Sequence, residues 1–191
     1  EDVDLAKLDA DLAAGADAPA FSYVVPDRCH DGSAEPCRRG APAGTAAADA
    51  WLKEIVPKIL ASKAYADDGL LVVTADQAPA TGASADSSGC CRPGTYPNTK
   101  DAGAPGPSGA GGGVVGALLV SPYVAAGEQV DTAASHFTLL RSIEDVFKLQ
   151  PLGYAARKSV GSLVPDVIQP TVQSAGDDTV TTRHARRRAP R

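Results

Sequence analysis

A chain of 191 residues is sized for one domain, at the usual figure of about 100–200 residues each. Its 43% hydrophobic content allows a core, and its net charge of -5 excludes a general nucleic-acid binder, which needs a basic surface. No apolar run approaches the roughly 18 residues of a membrane span, and no charged-then-apolar leader opens the chain.

In chain order, Leu5, Leu8 and Leu12 recur at helical spacing between acidic residues and predict a short amphipathic helix over Val3–Ala14, ended by Gly15. Phe21–Val25 is β-rich, stops at Pro26 and reads as a strand. The Gly/Pro-rich stretch from Glu35 to Thr45 reads as loop. Ala47–Tyr65 is the clearest helix: Trp51/Leu52, Ile55/Val56 and Ile59/Leu60 recur every four residues. Thr45 and Asp49 are its candidate caps, and Pro57 should kink or break it.

Leu70–Thr74 is an unbroken apolar run with polar residues after it, the signature of a strand buried on both faces. Strand, helix and strand in this order predict a right-handed βαβ unit and so a parallel sheet. Residues 80–112 are a long loop, and Ala102–Gly112 has the composition of a disordered segment. Gly113–Val120 reads as a third buried strand. Ser135 is an N-cap candidate for a helix with Phe137, Leu140, Ile143 and Phe147 on one face. Residues 1–165 are expected to form the folded part, and 166–191 a disordered basic tail with five Arg from Arg183 to Arg191.

Polar groups gather where these strands end. Asp27, His30 and Asp31 follow the first, Asp76 and Gln77 follow Thr74, and His136 opens the last helix. In a parallel sheet such edges converge, and ligands bind outside the carboxyl ends of the strands. Oxygen donors suit hard cations, and imidazole suits a metal or a phosphoryl oxygen. Of the four cysteines, Cys29 and Cys37 are spaced to close a short loop, whereas Cys90 and Cys91, being adjacent, are expected to take different partners. The cysteines favour an oxidising compartment. A non-catalytic alternative is an exported binding domain whose Arg-rich tail grips anionic polymers.

The chain resembles the bacterial phosphoesterase family, which includes acid phosphatases and phospholipases C. The segments that carry the likeness are Phe21–Gly32, with Pro26, Asp27, Cys29, His30 and Asp31; Ala48–Leu52 with Val56–Ile59; Leu71–Ala78; Gly113–Tyr123; and His136–Asp145. The resemblance implies an alkaline-phosphatase-like α/β fold, a largely parallel sheet flanked by helices, of which this chain would be a partial domain. It implies phosphoester hydrolysis at a divalent metal, through a hydroxyl nucleophile, in a secreted or cell-envelope protein. Asp76 and Gln77 would be metal ligands, with Gln77 in the place of a second acid. His136 and His30 would be catalytic, and Asp27 and Asp31 would line the substrate site. The family's early acidic-amide pair and its Ser/Thr nucleophile have no counterpart before residue 20. The chain is therefore expected to be the C-terminal half of such an enzyme, inactive alone, with a phosphoester as partner and no nucleic acid.

Overall fold

The computed structural model describes residues 3–33, 36–90, 111–127, 129–131, 133–164 and 166–169. The chain divides into two compact units, Glu1–Ala126 and Gly127–Arg191. It is mixed α/β.

In the first unit Asp4 accepts a hydrogen bond from the Ala6 amide at 2.8 Å and starts a 3-10 turn that runs into α1 (Leu8–Ala13). This matches the Leu5/Leu8/Leu12 periodicity. The β-rich run Phe21–Val25 does not become a strand. Phe21, Tyr23 and Val25 are exposed by 54%, 81% and 65%. A strand exists only when a neighbour takes up its amides and carbonyls, and no described segment pairs with this one.

The long periodic helix forms as two. α2 spans Thr45–Leu60 with Pro57 inside its last turn, and α3 spans Lys63–Asp68. Neither Thr45 nor Asp49 caps α2. The N-cap is Gly44, at φ 62 and ψ -145, a conformation only glycine adopts without strain. Its carbonyl accepts from the amides of Ala47 and Ala48, and its own amide donates to the Ser33 carbonyl at 2.7 Å. Ser62 marks the break between the helices: its hydroxyl donates to the Ile59 carbonyl at 2.7 Å and accepts from the Tyr65 amide at 3.2 Å. One buried hydroxyl so ends α2 and caps α3.

β1 (Leu71–Thr74) pairs with β2 (Ala117–Val120) in antiparallel register, Leu71 opposite Val120 and Thr74 opposite Ala117. The parallel βαβ unit expected from the element order is absent among the described residues. The Phe21–Val25 segment that would have begun it is unpaired, and the two true strands are held edge to edge by cross-links at both ends. Ser121 donates to the Gly69 carbonyl at 2.7 Å, and Thr74 donates to the Gly116 carbonyl at 2.9 Å. Nor are the strands buried on both faces: β1 is half-buried and Leu118 of β2 is 60% exposed. Among the described residues of this unit the buried apolar side chains are Ala47 and Ile55 of α2. Leu52, Val56 and Pro57 of α2 line an open apolar cleft of about 360 Å³ with Val73 and Leu118 of the sheet.

The loop that leaves β1 is laced at its base. Ala78 donates to the Gly112 carbonyl at 2.7 Å, Gly111 to Ser87 at 2.8 Å and Gly113 to Ser88 at 2.9 Å. Asp86 accepts from the amides of Ser88 and Val114 at 2.8 and 2.9 Å. Backbone donation from Ser88 and then Val114 holds the Asp86 carboxyl below its usual range. Gly113 sits at φ 78, and a Cβ there would come within 2.6 Å of the Ala78 side chain. The glycines read from composition as disorder are, at Gly111 and Gly112, a close-packed junction; residues 102–110 of that expectation lie outside the described residues.

In the second unit α4 (His136–Val146) begins at Ser135 with a reciprocal capping box, Ser135 and Thr138 each bonding the other's backbone amide. The cap forms as its sequence predicts, but the buried face differs. Leu140 and Phe147 of the apolar stripe are 40% and 41% exposed, while Thr138, Ser142 and Glu144 are buried. The segment after the helix explains this, because it docks through hydrogen bonds. Ser142 donates to the Thr138 carbonyl at 2.7 Å and accepts from the Leu163 amide at 2.8 Å. Glu144 accepts from the Leu152 amide at 2.9 Å, and Arg141 donates to the Ala155 carbonyl at 3.3 Å. Phe137 packs on Tyr154 with ring centroids 5.1 Å apart, and the Arg157 guanidinium lies 4.1 Å from the Tyr154 ring centre. Of the expected tail, residues 170–191 lie outside the described residues.

Candidate functional site

Pro26 ends the extended segment and Asp27 then organises a tight turn. The His30 amide donates to the Asp27 carbonyl at 3.0 Å, and the Cys29 amide donates to Asp27 Oδ1 at 3.2 Å. An aspartate folding the chain back on its own carboxylate is the usual reason for Asp in turns. The same Oδ1 lies 2.7 Å from His30 Nδ1. With the proton on Nδ1, that bond fixes the ring's tautomer and orientation and leaves Nε2 as the acceptor. The imidazole is further held by the Trp51 indole of α2, stacked at 6.5 Å between centroids and 26° between planes.

A disulfide between Cys29 and Cys37 closes the loop, with Cα atoms 4.8 Å apart. Cys37 Sγ lies 3.3 Å from His30 Nε2. Cys29 Sγ lies 3.1 Å from Asp27 Oδ1, a contact without a proton because a disulfide sulfur carries none. Cys90 is disulfide-bonded as well; Cys91 lies outside the described residues. The loop joins α2 through Ser33, whose hydroxyl donates to the Arg28 carbonyl at 2.7 Å and whose carbonyl takes the Gly44 amide. Asp31 accepts from the Ser33 amide at 2.7 Å. The Ser33 amide and hydroxyl, aided by the charge of Arg28, hold the Asp31 carboxyl below its usual range.

The structure thus brings Asp27 and His30 into direct contact and places Asp31 in the same turn. Asp76 and Gln77 follow the end of β1, exposed, beside the glycine junction: a Cβ on Gly112 would sit 3.5 Å from the Gln77 Cβ. His136 is the first residue of α4 and exposed, in the other unit. Trp51 and Gly44, which position the His30 loop, went unnoticed as site residues; the signal was a single tryptophan on the helix that follows a ligand-rich loop.

Asp27, Cys29, His30 and Cys37 form a possible metal-binding group, their donor atoms all within 4.8 Å of one another. In the disulfide state the two sulfurs are not thiolates, so two usable donors remain, and these are bonded to each other. Asp76 stands outside this cluster. Asp76 and Gln77 supply two oxygen donors, short of the six or so that a hard cation takes. The described residues do not complete a hard-cation centre on their own. Among the described residues no helix is long and apolar enough to cross a membrane.

A model of the Phosphoesterase family matches residues 2–150. Neither the curated proteins nor the solved structures contain a match to the chain.

Proposed function

The chain belongs to the phosphoesterase family, and from that premise we propose that it forms part of a phosphoric ester hydrolase, with the His30 loop and the Asp76–Gln77 strand end of the first unit and, taken by itself, His136 of the second as its candidate residues. The observation that carries this reading is the Asp27–His30 pair, an oriented imidazole 2.7 Å from a carboxylate inside the matched residues. Phosphoryl transfer needs a proton donor for the leaving oxygen and positive or donor groups for the equatorial oxygens. With both ring nitrogens protonated, His30 would donate from Nε2 to the leaving oxygen or to a phosphoryl oxygen, whereas the Nδ1–H tautomer leaves Nε2 able only to accept. Asp27 acts as its positioning residue. His136 would contact the phosphoryl group. Asp31, taken up by Ser33, shapes the loop more than it holds substrate.

Asp76 and Gln77 are proposed as two ligands of a divalent cation, completed by groups outside this chain's described residues. The fold is proposed to be alkaline-phosphatase-like, and the protein secreted or envelope-bound, as its disulfides suit. No hydroxyl nucleophile matches the family pattern in the resembling segments, so the 191-residue chain alone is expected not to turn over.

The test is hydrolysis of p-nitrophenyl phosphate and bis-p-nitrophenyl phosphate by the longest natural polypeptide that carries this chain, before and after chelation. Metal-dependent turnover of either ester is expected, with the preferred ester separating phosphatase from phospholipase-type action. Inactivity on both, in folded protein supplied with divalent metals, would overturn the reading, as would turnover by the 191-residue chain that chelator leaves unchanged.

A further inference from the structure

The loop that holds His30 also holds two sulfurs within ligand distance of it. We propose that reduction of the Cys29–Cys37 disulfide converts this loop into a binding site for one zinc-class cation, held by Asp27, Cys29, His30 and Cys37. Two sulfurs, one imidazole and one carboxylate are the donors zinc prefers in a four-coordinate shell.

The distances support it. For zinc–sulfur bonds of about 2.3 Å and zinc–nitrogen bonds of about 2.0–2.1 Å, a tetrahedron sets the nitrogen–sulfur edge near 3.6 Å. His30 Nδ1 lies 3.7 Å from Cys29 Sγ and 3.8 Å from Cys37 Sγ. Asp27 Oδ1 lies 3.1 Å from Cys29 Sγ and 2.7 Å from His30 Nδ1, against ideal edges of about 3.6 and 3.4 Å. The short edge is the present hydrogen bond, which lengthens once a cation replaces its proton. The edge that must open is the sulfur–sulfur bond itself, to about 3.8 Å, and its cleavage permits that. Asp27 and Cys37 are exposed, so reductant and cation have access.

The chemistry balances. A phosphine takes oxygen from one water and becomes its oxide. The two hydrogens of that water go to the two sulfurs as the S–S bond breaks. Zinc then binds both thiolates, and both protons leave to solvent, as metal binding to cysteine requires. Disulfide and zinc are mutually exclusive, and either one fixes the loop. This inference stands apart from the phosphoester reading.

The experiment uses the 191-residue chain carrying Cys90→Ser and Cys91→Ser, so that Cys29 and Cys37 are its only thiols. Zinc uptake is titrated against a chromophoric chelator, with and without phosphine, and cobalt replaces zinc to read thiolate-to-metal absorption. The reduced chain is expected to bind one more zinc than the oxidised chain, and its cobalt form to show the thiolate band. Changing Asp27→Ala, His30→Ala or Cys37→Ser should weaken that extra site by roughly tenfold or more. Bound zinc should also slow re-formation of the disulfide in air. Equal zinc uptake by the two redox forms would overturn the proposal. So would affinity unchanged in both His30→Ala and Asp27→Ala.

Discussion

Replacing Cys29 and Cys37 together by alanine removes a covalent ring from the turn that orients His30. The two cysteines are 8 residues apart. Loop-closure entropy for a ring of about nine residues amounts to roughly 2.6 kcal/mol at 25 °C. That constraint acts on the unfolded chain. The native bonds that also shape the loop, from Ser33 to Arg28 and from Gly44 to Ser33, do not substitute for it. Among the described residues of the first unit only Ala47 and Ile55 are buried apolar side chains, so 2–3 kcal/mol, on the order of a third of a small domain's stability, should be plainly visible. Urea unfolding followed by tryptophan fluorescence is a direct assay, because Trp51 is the sole tryptophan and stacks on His30. The double variant should lose about 2–3 kcal/mol with little change in the urea dependence. A loss under about 0.5 kcal/mol would refute the reasoning and show the loop already restricted in the unfolded chain.

Ser142→Ala strands the Leu163 amide, whose acceptor is a hydroxyl only 1% exposed. A cost of about 1–3 kcal/mol is expected, read as roughly 5- to 160-fold faster hydrogen exchange around Leu163; unchanged exchange would mean that the segment docks by packing alone. Asp86→Asn weakens the bonds to Ser88 and Val114 that close the base of the long loop. Because the folded carboxyl lies below its ordinary value of 3.8, its stabilisation is present above that value and is lost as pH falls through the folded one. The parent should therefore lose melting temperature as pH drops below about 4, and the Asn variant should melt lower at neutral pH with a flatter acid limb. Identical acid limbs would show that other carboxylates carry that pH dependence, Asp145 among them, held low by Ser162 and then Arg141.

What the sequence made legible was local. The Ser135 cap and the α1 leucines depend on neighbours a few residues away, and each formed. Pairing was not legible. β1 read as the end of a βαβ unit because its nearest β-rich neighbour precedes it, yet its partner β2 lies beyond a long loop and is fixed by Ser121 and Thr74, whose cross-strand bonds leave no periodic trace. The apolar stripe on α4 was visible, but the buried face is the polar one, because a later segment bonds to Ser142 and Glu144. Gly44 looked like one more loop glycine, and only its backbone conformation showed that it starts α2 and holds the site loop.

The most direct test of the phosphoesterase account is kcat for p-nitrophenyl phosphate, in the longest natural polypeptide carrying this chain, compared between the parent and Asp76→Ala. The account expects a fall of more than about tenfold, that is over ~1.4 kcal/mol of transition-state stabilisation, with KM changed less than kcat. A smaller fall in correctly folded protein would contradict it and remove Asp76 from the site.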